Sequence, residues 1–374
     1  MSAFRLARRN LMQSRTRLVM AAGGVALALT LILTLDAVFA GVARQLTTYI
    51  DRSGADVIVG QRGVRNLHMV ASWLPADIVD AVSAVDGVAA AEPLLYVTDT
   101  LALGDDRFVA YVMAPEAGAS MGGPWIVSEG SAIPNQGEVL IDVAVASEAG
   151  VGLGDPATVR GRTLRIAGLI EGTSTLLNSI AFIAPEDFLD TASGADLTSF
   201  VLVRIDEGAA PEIVAARIEG AIDGVSALAR PAFAAEERRL VTDMGTDILA
   251  IMSVIGFIIG LAVVALTMYI ATVTRRAEYG VLAAVGAPRR YLYEVVIGQA
   301  FLSSAAGFLL AVALTATIAF LVPRTGLSLE LEVTAASVSR VGLISAVIAG
   351  AAAVLPIRQL AGLDPATVFR RGAT

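Results

Sequence analysis

The sequence predicts an α-helical membrane protein with four transmembrane helices and a large extracytoplasmic α+β domain inserted between helices 1 and 2. Four long runs of residues carry no charge, which is typical of helices that cross a bilayer. The stretch between the first two runs is acidic and mixes strand-like and helix-like patterns. The chain is 56% hydrophobic with a mean hydropathy of +0.71, which is too apolar for a soluble protein and too polar for one that is membrane throughout.

The charge-free runs cover residues 18–35, 248–274, 295–323 and 341–357. A helix needs about 20 apolar residues to cross the hydrocarbon core, so each run is expected to span the membrane once and to contact lipid. Asp36 lies roughly 27 Å along the first helix from its start, so we expect a solvated acid near the outer interface. Gly256 and Gly260 form a GxxxG pattern, which can bring helices close at a subunit interface or simply reflect the frequency of glycine in membrane helices.

Charge is divided unevenly along the chain. The short segments 1–17, 275–294 and 358–374 hold 12 arginines and 3 acidic residues, whereas residues 41–243 hold 28 acidic residues and 13 arginines. An arginine excess in short connections marks the cytoplasmic side. We therefore expect a multi-pass protein of the plasma or inner membrane with both termini cytoplasmic and residues 41–243 outside. The acidity of the large domain argues against nucleic-acid binding.

These patterns divide the chain into nine segments. They are a cytoplasmic amphipathic helix (1–17), transmembrane helix 1 (18–40), the extracytoplasmic α+β domain (41–243), transmembrane helix 2 with a polar stalk (244–274), a cytoplasmic loop with a short helix (275–292), transmembrane helix 3 (293–322), an outer loop (323–337), transmembrane helix 4 (338–358) and a cytoplasmic tail (359–374). In the first segment, apolar residues recur at helical spacing opposite the arginines, namely Phe4, Ala7, Leu11 and Met12. A cleaved signal peptide is the alternative interpretation of that segment.

The large domain alternates strand-like and helix-like patterns. The strand-like runs are 55–59, 94–98, 108–113, 139–143, 163–169 and 200–205, separated by turn-forming Gly, Asp and Pro residues. Helical patterns cover residues 76–85, 143–148 and 211–222. The stretch 141–170 indicates a helix followed by a small β subdomain, so one or two compact subdomains are expected.

Residue types that are missing exclude several kinds of chemistry. The chain has no cysteine, and all 27 of its basic residues are arginine. A Walker A loop needs a lysine to reach the nucleotide phosphates, so we do not expect this chain to be an ATP-hydrolysing enzyme. The one histidine, His68, lies beside Met69. A haem or copper ligand pair is one interpretation and an ordinary loop histidine is the other, and we expect no cofactor or metal.

Residues 275–290 are the most distinctive short stretch. Between two apolar runs, this stretch contains four arginines, at positions 275, 276, 289 and 290, and a single acidic residue, Glu278. One stripe of a short helix is formed by Tyr279, Leu282, Val285 and Gly286. Pro288 can open the following helix as a residue of its first turn. The stretch is therefore expected to be a short helix lying across the ends of two spans, where another protein can push on it. A basic loop lying on anionic lipid is the alternative.

This stretch resembles the loop between the second and third membrane helices of FtsX/MacB-type ABC transporter permeases. The matching residues are Arg275, Arg276, Glu278, Gly280, Leu282, Ala284, Gly286 and Ala287. Further matches are the tetrapeptide Leu363-Asp364-Pro365-Ala366, the segment 141–170, and the layout of four spans with a large domain after the first. In that family, the loop forms a coupling helix seated in a groove of the partner ATPase.

The resemblance implies a permease subunit that binds no ATP itself and works as a homodimer with a separate ABC ATPase. It implies mechanotransmission, used here to export an amphipathic or hydrophobic compound such as a drug, peptide, haem or lipid. The residues implied at the ATPase contact are Arg275, Arg276, Glu278, Tyr279, Gly280, Leu282, Val285, Gly286 and Ala287. Two alternatives stay open: an FtsX-type regulator that switches an extracytoplasmic hydrolase, and an ATP-independent membrane receptor or structural protein.

Overall fold

A computed structural model describes residues 5–9, 15–67, 71–175, 178–190, 196–325 and 329–361. These residues form two compact units. The helical unit comprises the described residues within Met1–Gly41, Met244–Thr325 and Glu330–Thr374, and the α+β unit comprises those within Val42–Asp243 and Gly326–Leu329.

The elements follow one another in mixed order along the chain. The helices are α1 (Arg15–Arg52), α2 (Ile78–Ser83), α3 (Val143–Ala149), α4 (Pro185–Asp190), α5 (Pro211–Ala221), α6 (Arg230–Thr274), α7 (Arg276–Ala284), α8 (Arg289–Leu321) and α9 (Ala335–Ala361). The strands are β1 (Val57–Gln61), β2 (Leu74–Pro75), β3 (Val88–Leu103), β4 (Asp106–Pro115), β5 (Val127–Gly130), β6 (Glu138–Asp142), β7 (Pro156–Val159), β8 (Arg162–Ile170), β9 (Ser179–Ile183), β10 (Leu197–Thr198), β11 (Phe200–Ile205) and β12 (Val225–Ala229).

Within the described residues, four helices contain segments that are long and apolar enough to cross a membrane, namely α1, α6, α8 and α9. The α+β unit lies between the first and second of them in the chain. The predicted class, four apolar helices with an α+β insertion after the first, is therefore confirmed.

Small residues let the long helices of the helical unit approach one another. A methyl group added at Gly256 of α6 would lie 2.6 Å from Cδ1 of Ile32 in α1, and one added at Gly260 would lie 3.0 Å from Cδ1 of Ile348 in α9. The GxxxG pattern therefore packs helices of the same chain together, which differs from the subunit interface considered from sequence. Between α8 and α9, the buried Ser304 hydroxyl donates to the Ser345 carbonyl at 2.9 Å.

Asp36 of α1 is buried, with 6% of its surface exposed. Its carboxylate forms an ion pair with Arg340 of α9, whose side chain is 54% exposed. The expectation of a solvated acid at this position is wrong, because the pairing with an arginine 304 residues away covers it. A buried carboxylate needs such a partner, since an isolated charge would be costly to desolvate.

The main chain just before α9 packs on the same part of α1. The Glu332 amide donates to the Ala37 carbonyl at 2.9 Å. A methyl group on Gly41 would lie 1.8 Å from the Glu330 carbonyl oxygen, so the two backbones touch there. We use the name α1–α9 clasp for the set Asp36, Ala37, Gly41, Glu330, Glu332 and Arg340.

The first part of the α+β unit is a four-stranded antiparallel sheet in the order β12-β1-β11-β3. With α2 and α5, the chain order is β-α-β-β-α-β, the ferredoxin-like arrangement. Both helices cover one face of the sheet, where Val82 of α2 and Ile218 of α5 share a buried cluster with Val57, Val59 and the neighbouring strand residues.

The second part is inserted between β3 and β11. Strand pairing runs β3-β4-β9-β6-β8-β7 and returns from β7 to β3, which closes a ring of six strands. Closure leaves these six strands without open edges. The interior is apolar, and Leu101, Val112, Ile141 and Ala181 are each fully buried there. The β subdomain expected from residues 141–170 is thus part of a larger closed sheet.

Replacing Gly41 with alanine should destabilise the helical unit by about 1–3 kcal/mol, the usual cost of overpacking, because the new methyl meets main chain that cannot rotate away. The measurement is the thermal unfolding midpoint in detergent. Gly23→Ala in the same helix is the matched control, since no described atom lies within 4 Å of its added methyl. A Gly41→Ala midpoint equal to that of Gly23→Ala would contradict the close contact.

Candidate functional site

The connection between α6 and α8 is a short helix with defined ends. Helix α6 stops at Thr274, α7 begins at Arg276, and the Tyr279 amide donates to the Arg275 carbonyl at 3.1 Å. At the other end, the Ala287 amide donates to the Leu282 carbonyl at 3.0 Å, and Gly286 has a φ of 97°. These are the features of a Schellman ending, in which glycine takes the left-handed position at no steric cost.

Pro288 is the N-cap of α8, with a φ of −66° and a ψ of 145°, and α8 itself begins at Arg289. The sequence pattern predicted Pro288 as a residue of the first helical turn, whereas it precedes that turn in the structure. The change follows from the extended ψ, which a helical residue does not have. The turn between α7 and α8 is therefore set by Gly286 and Pro288 together.

One face of α7 is anchored in the helical unit. Tyr279 is 2% exposed and belongs to a buried cluster that includes Leu292, Val295 and Val296 of α8. Leu282 is half-buried and packs against the same cluster. Burial raises the pKa of the Tyr279 phenol, and a hydrogen bond with Gln299 of α8 opposes that rise. The phenol is therefore neutral at physiological pH, as its apolar surroundings require.

The opposite face of α7 is open. Val285 is 84% exposed and Val281 is 50% exposed, an unusual display for two valines on one short segment. Arg276 and Glu278 are exposed beside them, and Glu278 lies 3.6 Å from the Arg275 guanidinium. Beyond the turn, Arg289 and Arg290 are also exposed. We use the name coupling surface for the set Arg276, Glu278, Val281, Val285, Arg289 and Arg290.

The structure divides the residues predicted from sequence to contact a partner. Arg276, Glu278, Val285 and Gly286 are exposed, and Arg275, Leu282 and Ala287 are partly covered. Tyr279 and Gly280 are buried within this chain, and their contact with a partner stays a prediction. The stripe that joined Tyr279 to Val285 is interrupted because α7 ends at Ala284, which turns Val285 outward.

The sequence pattern of this loop did not predict the exposure of Val281 or the conformational role of Gly286. Val281 was not singled out, although the helix places it on the open face; it lies two residues from Tyr279, so the two side chains point to different sides. Gly286 forms the turn at the end of α7. No described atom lies within 4 Å of a methyl added there, so its role in this chain is the left-handed turn.

The described part of the N-terminal segment, residues 5–9, is helical. Ala7 is fully buried, and its Cβ lies 3.2 Å from the position of a methyl added at Gly298 of α8. Arg5, Arg8 and Arg9 are exposed. Apolar and basic sides are thus separated as expected, and the apolar side packs on a helix of the same chain. Phe4, Leu11 and Met12 lie outside the described residues.

His68, Met69 and residues 363–366 lie outside the described residues. Among the residues that are described, no group of three or more His, Cys, Asp or Glu side chains is placed to hold a metal ion.

Comparison with known proteins identifies the family. Residues 18–221 match the family model of the MacB-like periplasmic core domain, and residues 250–365 match that of the FtsX-like permease C-terminal region. Together the two matches cover most of the chain, and the first alone covers more than half. The chain belongs to the FtsX/MacB-like family of ABC transporter permeases.

Related permeases align with this chain over most of its length. An uncharacterized ABC transporter permease of Mycobacterium tuberculosis is 27% identical over 375 residues, covering 96% of this chain and 97% of the relative, and a Mycobacterium bovis permease gives the same values. A second M. tuberculosis permease is 25% identical over 334 residues, covering 86% of each chain. This chain is therefore a multi-pass membrane protein, an ABC transporter permease of the MacB/FtsX type.

Two solved structures are similar to part of this chain. The periplasmic region of MacB from Actinobacillus actinomycetemcomitans has a TM-score of 0.36 at 12% identity, covering 48% of this chain and 91% of that one. The extracellular domain of the noncanonic ABC-type transporter YknZ from Gram-positive bacteria has the same TM-score and identity, covering 46% of this chain and 99% of that one.

Single cysteines should report the two faces of α7 directly, because the chain has no native cysteine. In detergent, Val285→Cys should react with a maleimide about tenfold faster or more than Tyr279→Cys, since a buried thiol reacts only after local opening. Both thiols should react equally in denaturant, which is the control. Equal native rates, at unchanged unfolding midpoints, would contradict the assignment of faces.

Proposed function

We propose that this chain is the membrane subunit of an ABC exporter that works by mechanotransmission, with ATP bound and hydrolysed by a separate partner. The observation that carries the proposal is the coupling surface, where two exposed valines lie among exposed charged residues on a helix whose other face is buried. Apolar residues with arginines at their edge are typical of protein contacts.

Because α7 is packed firmly on the helical unit, a force applied to α7 by the partner would be transmitted to that unit. Tyr279 and Leu282 pack on the cluster that contains α8, while α6 enters the segment directly through Thr274 and Arg275. A displacement of α7 is therefore passed to two long helices at once. A loop lying loosely on lipid would not need a nearly fully buried tyrosine, so the anchoring favours the coupling role over the lipid-surface alternative.

The α1–α9 clasp supplies a second joint within the helical unit. Helix α9 follows α8 in the chain. Its first turns and the main chain just before it are tied to α1 through Asp36, Ala37 and Gly41. Thr334 caps α9 by accepting a hydrogen bond from the Ser337 amide at 3.1 Å, so the helix has a fixed start beside the clasp. Motion of α8 and α9 can thus reach α1, the helix that leads into the α+β unit.

The substrate path in this proposal does not run through the four spans. The four charge-free runs contain no Asp, Glu, Arg, Lys or His, the groups that relays for ions and polar substrates use. The ATPase instead drives a conformational change of the α+β unit. The permease works as a homodimer in this proposal, and it exports an amphipathic or hydrophobic compound. We place both termini and α7 in the cytoplasm and the α+β unit outside, from the arginine distribution.

The double variant Val281→Asp/Val285→Asp should fail to co-purify with the cognate ATPase. Loss of a central apolar contact costs about 2 kcal/mol or more, which is roughly thirtyfold in affinity. Both valines are exposed, so folding should be unaffected. Val109→Asp is the control, because Val109 of the α+β unit is 53% exposed and lies elsewhere. Normal binding and transport by the double variant would rule out this surface as the docking site.

Leu282→Asp is a weaker test, because Leu282 packs on the buried cluster and a charge there can unfold the segment. Glu278→Ala separates the two interpretations of the loop more cleanly. A docked coupling helix loses an ion-pairing group and should transport more slowly, whereas a loop that only touches lipid should be indifferent. Transport and ATPase binding at the wild-type level in this variant would favour the lipid-surface alternative.

Membrane sidedness can be measured in intact cells with an impermeant thiol reagent. Val285→Cys should be protected until the membrane is permeabilised, and Val109→Cys should react at once, because the positive-inside rule places α7 in the cytoplasm. The opposite pattern of labelling would overturn the proposed orientation.

A further inference from the structure

The α+β unit contains a cleft of about 510 Å³ that the permease assignment does not use. It lies between the connection that follows β4 and the connection from β5 to β6, with Phe182 of β9 at its base and Arg52 at the end of α1 on its rim. Its volume suits a drug-sized organic molecule.

One wall is the segment after β4, and two side chains from elsewhere in the unit hold it in place. Glu92 of β3 accepts hydrogen bonds from the Ser120 amide at 3.1 Å, the Ser120 hydroxyl at 2.8 Å and the Met121 amide at 2.8 Å. The buried Tyr49 hydroxyl donates to the Gly122 carbonyl at 3.0 Å. This wall is therefore held in place before any ligand arrives.

The facing wall is held by two other carboxylates. Asp187 of α4 is 1% exposed and accepts a hydrogen bond from the Gly137 amide at 2.6 Å. Glu138 accepts from the Asn135 amide at 3.1 Å and from the Asn135 side chain at 2.9 Å. These hydrogen bonds lower the pKa of Glu138, so it stays ionised and keeps the turn at 135–138 in place. A cleft with two fixed walls binds a ligand at a smaller ordering cost.

The lining mixes apolar and polar groups in similar proportion, and a tryptophan and several prolines supply its apolar part. Trp125 is half-buried and lines the cleft together with the prolines Pro115, Pro124, Pro134 and Pro185 and the half-exposed Ile133. A rigid, proline-rich wall with an indole can take up an apolar body of many shapes. A tryptophan face also attracts organic cations.

The rim charges favour a cation over an anion. Arg52, Glu116 and Glu186 all line the cleft. Arg52 lies in the last turn of α1 and Glu186 in the first turn of α4, so the partial charge of each helix end offsets part of the side-chain charge. Glu116 follows β4 and lies outside any helix. The surrounding residues 41–243 carry more than twice as many acids as arginines, which adds to the negative potential.

We propose that this cleft is a binding site for an amphipathic organic cation, with the apolar body against Trp125 and the prolines and the charge facing Glu116. The assignment of such a compound as cargo rests on the proposed export function, but the binding itself does not. The cleft gives the exporter a place to hold its substrate in the α+β unit.

The test uses the full-length permease in detergent, without ATPase, and Trp125 as the reporter. The chain has two tryptophans, so Trp73→Phe leaves Trp125 alone. Tetraphenylphosphonium should quench this fluorescence saturably, and tetraphenylborate, of the same shape and opposite charge, should bind at least about tenfold more weakly. Trp125→Phe, which leaves Trp73, gives the baseline for probe that merely enters the micelle.

Two variants in the Trp73→Phe background locate the site. Glu116→Gln should weaken phosphonium binding by about twofold to fivefold, a modest effect because Glu116 is exposed. Ala132→Arg, on the exposed rim, should abolish it by bulk and charge. Glu207→Gln, an exposed acid away from the cleft, should change nothing.

Non-saturable quenching, equal affinity for the borate, or equal effects of Glu116→Gln and Glu207→Gln would each overturn the cleft proposal. Because no ATPase takes part, a failure here leaves the coupling proposal intact. Loss of ATPase coupling would likewise leave the binding result intact.

Discussion

The exclusion of charge from the bilayer interior is the constraint on which the rest of this structure depends. Four helices can cross because their backbone groups are satisfied internally and their side chains are apolar. Charged groups are consequently confined to the ends of the spans, where they are available for recognition. In the α1–α9 clasp, the charged side chain of Asp36 is buried, and it forms an ion pair with Arg340.

The α6–α8 connection and the α1–α9 clasp are each held by a different combination of interactions. At the α6–α8 connection, a buried tyrosine fixes one face of a short helix, and two valines are exposed on the other face. At the clasp, an ion pair, a main-chain hydrogen bond and a glycine contact join α9 to α1. Both joints combine one sterically demanding contact with one polar one, which specifies a single arrangement better than apolar packing alone.

The spans and the family were predictable because length, apolar composition and the pattern at 275–287 are local properties of the chain. Strand β11 was predicted at its observed limits for the same reason. Strand β9 was missed because its five residues are all buried and show no alternation. The closure of β7 onto β3 and the pairing of Asp36 with Arg340 join distant residues, so no local pattern reports them. The buried position of Tyr279 likewise depends on α8 packing behind α7, which the stripe on one helix does not contain.

In the proposed mechanism, the open face of α7 docks on an ATPase and its other face does not. Photo-crosslinking in native membranes tests this most directly, with a benzophenone amino acid placed at Val285 in one variant and at Tyr279 in another. Docking through the open face should give a crosslinked product at position 285 that contains an ATP-binding-cassette subunit, identified by mass spectrometry, and no such product at position 279. Equal crosslinking at both positions, or no ATPase at position 285, would contradict it.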